Sequence, residues 1–328
     1  MKLSFLRNTK PLMFYESKKI DNNIACVINN IIIKNNRMNL RTFDKYHYID
    51  FNSFESNIAK PQINYHNIGL GLPDNNTFIV IENLLTNDEC QEILEKTENF
   101  YGNLKMEYLE TDRKAERLLN MNDKMAKVLF NRLQHIVDAE CKNKCLKPYG
   151  FGIEGVWKPC EINSCFRHSK YESPSIGFTF HRDSCYVEDV NMRSVLSLVI
   201  YLNDDFEGGA TLFVKPTTKR MVGQTVAEEL QGGYQFLQNF QPKKGWAILF
   251  NHDVIHSGML VTKGVKYIVR SDVIFVNTTP TNNYDYQYDT FFLQAVEYYR
   301  EANNQEMKGN VKKASELYER GLSLRQYH

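Results

Sequence analysis

The chain has 328 residues, enough for one large domain or two ordinary ones with an ample core. A formal net charge of +1 and a pI near 7.6 argue against a nucleic-acid footprint, and no acidic or basic tail stands out. Aromatic residues make up 12% of the chain, with 19 Tyr and 20 Phe, which suits a β-rich core.

Residues 1–75 are polar, Asn-rich and without a sustained period, and are expected to form a variable N-terminal extension. Residues 1–14 are broken by Arg7, Lys10 and Pro11, so no secretory h-region stands there. Residues 27–33 are interrupted by Asn29 and Asn30 and are too short to span a bilayer. The first 45 residues are mildly basic, which leaves an organellar presequence as the alternative to a cytoplasmic, intracellular location. Ordered structure is expected from the apolar run 77–81, followed by Thr86-Asn87-Asp88-Glu89, a capping-box signature. A helix should follow to about Phe100. A second helix should start near Asp123, with Met125, Val128, Leu129, Leu133 and Ile136 along one face. Both read as helices that support a sheet.

From about Tyr149 to Val276 the pattern changes to short strands with turn signals, as in an all-β sandwich or barrel. Residues 194–202 are nearly all apolar and predict a strand buried on both faces. Asn203-Asp204-Asp205 and Gly208-Gly209 end it before the strand at 211–214. The turn Lys243-Lys244-Gly245 leads into 246–250, and Lys263-Gly264 into a last strand over 266–275. The long segment between Pro216 and Pro242 is expected to be a lid or an inserted helix. After Pro280, residues 291–307 and 311–325 form two amphipathic stretches joined by Lys308-Gly309-Asn310. Ala295, Ala302, Ala314 and Leu317 would let them approach closely, as in a single tetratricopeptide-type hairpin. Docking on the main domain is the expected use of that hairpin, and partner binding the alternative.

The chemistry is concentrated in His181-Arg182-Asp183, followed by His256, Lys266 and Arg270. Two imidazoles and a carboxylate can cap one face of an octahedral metal and leave the other open, as in non-haem Fe(II) oxygenases. His181 and Asp183 are two apart, so on a regular strand they share a face. Lys266, Ile268 and Arg270 alternate, so both cations share a face too; interior cations are costly unless an anion pairs them. His252 is the rival third ligand, less favoured than His256 and better placed as a neighbour of the centre. His168 reads as structural. The seven cysteines are scattered and suggest no disulfide framework, hence a reducing compartment. Cys141, Cys145, Cys160 and Cys165 could be imagined around a structural zinc, but their spacing fits no common module and free thiols are expected. Cys185 is an oxidation candidate beside the motif.

The run from Tyr171 to Phe275 resembles the Fe(II)/2-oxoglutarate-dependent dioxygenases, within them the prolyl 4-hydroxylase-like branch. The resemblance rests on 178–183, on Tyr201-Leu202-Asn203-Asp204-Asp205-Phe206-Glu207-Gly208-Gly209-Ala210-Thr211-Leu212-Phe213, on 245–250, on His256-Ser257-Gly258 and on 266–275. It implies a double-stranded β-helix (jelly roll) over 149–280 with helical support over 76–148; together with the C-terminal helical hairpin expected over 281–328, the expected fold is α+β, mainly β. It implies that His181, Asp183 and His256 bind Fe(II). Lys266 would take the distal carboxylate of 2-oxoglutarate, with Arg270 as the competing or assisting cation. Tyr171 and Tyr201, and more weakly Thr211, would contact the co-substrate. The implied reaction is hydroxylation of a protein or peptide residue, prolyl as first guess, with O2 consumed and succinate and CO2 released; ascorbate is a candidate auxiliary. The alternatives are a dioxygenase of a nucleobase or small metabolite, and a non-catalytic scaffold that recruits partners through the C-terminal hairpin. No nucleic-acid or membrane partner is expected.

Overall fold

The computed structural model describes residues 46–54, 61–67, 76–101, 113–148, 153–183, 185–189, 191–219, 221, 224–279, 290–307 and 310–324. The segments 1–14 and 27–33 and the Lys308-Gly309 turn lie outside the described residues. In chain order the strands and helices are β1 (Tyr46–His47), β2 (Asn64–Asn67), β3 (Phe78–Glu82), α1 (Asn87–Thr97), β4 (Glu116–Met121) and α2 (Asp123–Asn143). Then come β5 (Trp157–Ile162), β6 (Cys165–Glu172), β7 (Phe178–His181), β8 (Val187–Asp189), β9 (Met192–Tyr201), β10 (Glu207–Gly208) and β11 (Thr211–Pro216). The series ends with α3 (Val226–Leu230), β12 (Tyr234–Phe240), β13 (Ala247–Asn251), β14 (Ile255–Gly258), β15 (Val261–Lys263), β16 (Val265–Asn277), α4 (Thr290–Met307) and α5 (Val311–Leu324).

The fold is mostly β. A large sheet runs β1-β4-β6-β16-β9-β13-β3-β2, with β5 on β16 and β8 on β9; a small sheet runs β12-β11-β14-β7. From β6 onward the chain passes back and forth: β6 large, β7 small, β9 large, β11 and β12 small, β13 large, β14 small, β16 large. That exchange is the connectivity of a jelly roll.

Period-two alternation assigns the faces. Leu196, Leu198 and Ile200 of β9 join Ile79, Leu249 and Val269 beneath Leu129, Leu133 and Ile136 of α2. Val199 and Tyr201 of the same strand point the other way, into a second cluster with Phe213, Ile248 and Phe250 between the sheets. Hence β9 is apolar at nearly every position. A third cluster covers the outside of the small sheet, where Val226 and Leu230 of α3 sit on Phe180, Leu212, Val214 and Ile255.

Helix α1 starts at the Thr86–Glu89 capping box, and Glu89 is used twice. Its carboxylate accepts from Thr86 N (2.8 Å) and takes both ends of the Arg132 guanidinium of α2 (2.6 and 3.0 Å). Both side chains are almost fully buried, so the pair also ties the two helices together.

One expectation needs correction. Residues 46–67 are not merely an extension: β1 pairs parallel to β4, β2 pairs with β3, and Phe51 and Phe54 enter the core. Their polar sequence hides this because β1 is only two residues long and all four residues of β2 are exposed. Asn120 accepts from Ile49 N (2.7 Å) and donates to Ile49 O (3.1 Å), copying a ladder contact. The 216–242 segment does hold an inserted helix, one of the two expectations for it, and a strand besides. It contains the short α3, and then β12, which pairs along the whole of β11. Tyr234 and Phe236 of β12 are exposed at this sheet edge, so the strand lacks the apolar signature of its neighbours. At the C-terminus α4 and α5 pack on each other with Ala295, Ala302, Ala314 and Leu317 buried. No helix among the described residues is long and apolar enough to cross a membrane.

Because Arg132 neutralises a buried carboxylate, Arg132→Met should lower the unfolding free energy by about 3–5 kcal/mol. Thr86→Ala, which removes only the cap, should cost about 1 kcal/mol. Urea denaturation of the two variants checks the order; equal effects would mean that the ion pair contributes nothing beyond the cap.

Candidate active site

Strands β7 and β14 are antiparallel neighbours, and His256 stands directly opposite His181. The chain bends after His181, and Asp183 N donates to His252 O (3.0 Å), turning the carboxylate toward the two imidazoles. One ligand atom from each of His181, Asp183 and His256 lies within 4.8 Å of the others, and among the described residues no other metal-capable group forms. The Asp183 carboxylate oxygens are 3.8 Å from His181 Nε2 and 3.6 Å from His256 Nε2.

The imidazoles are preset for coordination. His181 Nδ1 lies 2.7 Å from Thr179 O, and His256 Nδ1 lies 3.0 Å from Val254 O. A carbonyl only accepts, so Nδ1 carries the proton and the Nε2 lone pair faces the centre. Burial pushes His181 down to about 3, with His256 adding to the effect, and burial lowers His256 as well. Both are therefore neutral near pH 7, the form that a metal requires. Burial alone would raise Asp183, but Arg270 and then the imidazoles hold it well below the usual carboxylate range. Phe178 stacks on His181 at 3.7 Å, and Phe250 meets His256 edge-on at 4.7 Å.

Behind Asp183 the hydrogen bonds have one possible direction. Ser197 Oγ donates to the Asp183 carboxylate (2.6 Å), so it must accept from His252 Nδ1 (2.7 Å). His252 Nε2 is then an acceptor and receives Ser194 Oγ–H (2.8 Å), while Ser194 Oγ accepts from Tyr186 N (2.7 Å). His252 is thus not in the cluster; it is a fully buried neutral imidazole, lowered to about 4 by burial, that orients Asp183 through Ser197. Arg270 Nη2 is 3.2 Å from Asp183 and 3.2 Å from Asp272, and Arg167 closes the row on Asp272 at 3.1 Å. Ser197, Ser194, Asp272 and Arg167 were not foreseen. Two serines in an otherwise apolar strand, and an aspartate that continues the 266/268/270 alternation, were the available signals.

Lys266 differs from Arg270 in its surroundings. It is only 3% exposed, and its Nζ donates to Gly209 O (2.5 Å). Nζ lies 5.5 Å from the centre of the Tyr201 ring and 5.7 Å from that of Tyr171. Among the described residues no carboxylate pairs with it, and burial pulls its pKa down to about 7. Tyr171 faces Lys266 across the β6–β16 ladder, and the Tyr201 hydroxyl is bonded to Thr211 Oγ1 at 2.7 Å. The inner face therefore carries a three-ligand cluster and, on the same strand as Arg270, a buried cation lacking an anion. Both fit the groups that such a centre takes: a divalent metal, and a ligand with a terminal carboxylate.

The other candidates stand apart. His168 is fully buried on the opposite face of β6, 6.4 Å from the Phe51 ring. Cys141 and Cys160 are half-buried thiols pushed up to about 12 and about 11 by burial, and no cysteine joins a metal-capable group among the described residues. Cys185 is half-buried.

Two histidines and an aspartate brought together inside a jelly roll are the ligand set that non-haem oxygenase-type metal centres use. Residues 166–271 match the family model of the 2OG-Fe(II) oxygenase superfamily. The family implies Fe(II), 2-oxoglutarate and O2. No curated protein matches the sequence. Among solved structures, the viral collagen prolyl hydroxylase of Paramecium bursaria Chlorella virus-1 is similar at 16% identity, covering 61% of this chain and 96% of that one, with a TM-score of 0.39. A Pseudomonas putida prolyl-4-hydroxylase is 14% identical over 65% of this chain and 92% of its own, TM-score 0.35. The carbocyclase SnoK of nogalamycin biosynthesis is 12% identical over 65% and 84%, TM-score 0.40.

Folding holds the Lys266 pKa below its unfolded value, so the unfolded chain binds the extra proton and the charged lysine destabilises the ligand-free fold. Lys266→Met should therefore raise the unfolding free energy at pH 7, on the order of a few kcal/mol. That gain is complete below pH 7 and should fade between pH 7 and the ordinary lysine range, near 10.5. Thermal midpoints across that range read it directly; a destabilised variant at pH 7 would show that the Gly209 contact outweighs the buried charge.

Proposed function

We propose that the chain is a 2-oxoglutarate-dependent hydroxylase of the prolyl 4-hydroxylase-like branch, acting on a residue of a protein or peptide, with proline the first substrate to try. The observation that supports it most is Lys266, a buried cation on the same inner face as the His181–Asp183–His256 cluster, with no carboxylate partner among the described residues. The substrate class rests on the sequence resemblance of 178–183 and 201–213 to that branch.

His181 and His256 would hold iron through Nε2 and Asp183 through its carboxylate. Bound iron supplies the activation of O2 that couples decarboxylation of 2-oxoglutarate to C–H oxidation. The balance is substrate, O2 and 2-oxoglutarate in, hydroxylated product, succinate and CO2 out. Lys266 pairs with the distal carboxylate and so fixes which end of the dicarboxylate meets the metal. Arg270 is committed to Asp183 and Asp272, which makes it the weaker candidate for that role. Tyr201, held by Thr211, and Tyr171 frame the lysine. Phe178, Phe213 and Phe250 wall the histidines with apolar surface that keeps water away.

Purified iron-loaded protein should convert 2-oxoglutarate to succinate, and His181→Ala or Asp183→Ala should abolish this. Lys266→Ala should raise the KM for 2-oxoglutarate by about 30-fold or more, as loss of a buried charge partner does. Arg270→Ala should act on metal retention first. Because ligand-free Lys266 titrates near 7, co-substrate affinity should fall above that pH, by up to about tenfold per pH unit. Mass spectrometry of candidate peptides should show the gain of one oxygen. Turnover that survives His181→Ala sinks the proposed site, and wild-type protein that binds no iron favours a scaffold.

A further inference from the structure

Arg182 stands between two of the proposed metal ligands in sequence, and nothing in the reaction as derived uses it. Its guanidinium nevertheless makes three contacts. Nε donates to Asp253 O (2.9 Å), while Nη1 and Nη2 take the two carboxylate oxygens of Glu229 at 2.7 and 3.0 Å. Asp253 belongs to the turn between β13 and β14, the turn that delivers His256. One guanidinium therefore pins the segment that carries His181 and Asp183 to the segment that carries His256. The backbone bond from Asp183 N to His252 O (3.0 Å) runs alongside it.

Glu229 lies on α3 and is 3% exposed, against 13% for Arg182. A bidentate guanidinium–carboxylate pair fixes direction as well as distance, and a buried one tolerates little displacement. Helix α3 is in turn held from the C-terminus of the chain. Glu319 of α5 accepts from Val226 N (2.5 Å), and Arg320 pairs with Glu228 at 2.7 Å. A continuous set of contacts thus runs from α5 through α3 and Glu229 to Arg182 and both ligand-bearing segments.

We propose that Arg182 is a positioning residue of the metal centre, oriented by Glu229, and that α5 adjusts that centre by holding α3. This rests on reading His181, Asp183 and His256 as metal ligands. The Arg320–Glu228 pair is partly exposed, at 31% and 39%, so its influence is the smaller one. A purely structural pair would only staple α3 to the small sheet, and exchanging it for apolar side chains would then leave the metal unaffected.

The test uses Co(II) as the probe in full-length protein, reading dissociation constant, visible spectrum and urea midpoint together. Arg182→Lys, which cannot make the fork and the Asp253 contact together, should weaken Co(II) binding about tenfold. The double variant Arg182→Met with Glu229→Leu should keep its urea midpoint yet lose affinity to the same extent and show an altered spectrum. Glu319→Ala with Arg320→Ala, remote from the metal, should weaken binding about two- to threefold. If the apolar pair costs too much stability to fold, Arg182→Lys decides. Wild-type-like affinity and spectrum in every Arg182 variant that folds overturns the positioning role. An unchanged α5 double variant overturns the part assigned to α5. Wild-type protein that binds no Co(II) overturns the metal reading itself, a result distinguishable from the other two.

Discussion

The register between β7 and β14 is the constraint on which the rest of the centre depends. It sets His181 against His256, two residues far apart in the chain, and points both rings between the sheets. Side chains alternate every residue along a strand, so a slip of β7 by one position would send His181 to the outer face and away from His256. Several contacts hold this register. Ser257 Oγ donates to Phe178 O (2.8 Å), and Asp183 N reaches His252 O on the far side of the histidine pair (3.0 Å). The approach to β7 needs Gly177, whose φ is +79° and where a Cβ would lie 2.0 Å from the Gly258 carbonyl oxygen. Only glycine lets the chain enter at that angle.

Once the rings face inward, the charges along β16 divide the interior. At one end Arg167, Asp272, Arg270 and Asp183 form a row of two cations and two anions in contact. At the other end Lys266 has a carbonyl and two aromatic rings but, among the described residues, no anion. A strand with both cations matched would be an ordinary buried network, since paired interior charges are common enough. The asymmetry gives the interior a direction: the Asp183 carboxylate is held by the matched end, and the unmatched end offers a cation to an anion.

Much of this was legible as spacing. His181 and Asp183 two apart, and Lys266 and Arg270 on one alternation, already fixed which side chains share a face, and the order of the motifs along the chain suggested a barrel. What spacing could not carry was partnership. Arg270 and Lys266 look equivalent in the sequence; the difference between them is Asp183 and Asp272 within reach of one and not of the other. Ser197 looks like an unremarkable strand residue, yet its single proton fixes the tautomer of His252. β1 and β2 were hidden because the first is two residues long and the second exposes all four of its residues, and β12 because it lies at an exposed sheet edge.

The two sheets are supported unequally, and the ligands are divided between them. The large sheet is backed by α1 and α2 over an extensive apolar cluster, whereas the small sheet has the five-residue α3 and the few side chains beneath it. Both histidines ride on small-sheet strands, while Asp183 is tied to the large sheet through Ser197 of β9 and Arg270 of β16. A metal ion bound by all three would therefore bridge the sheets. Its coordination energy would add to the cohesion between them, because a ligand that binds only the folded arrangement stabilises it. The converse also holds: the separation of the ligand atoms depends on how the small sheet sits against the large one. On the outer face of the small sheet, α3 and its contacts to α5 and Arg182 are what hold it there, so the least buttressed part of the fold is also the part with the most direct control over the centre.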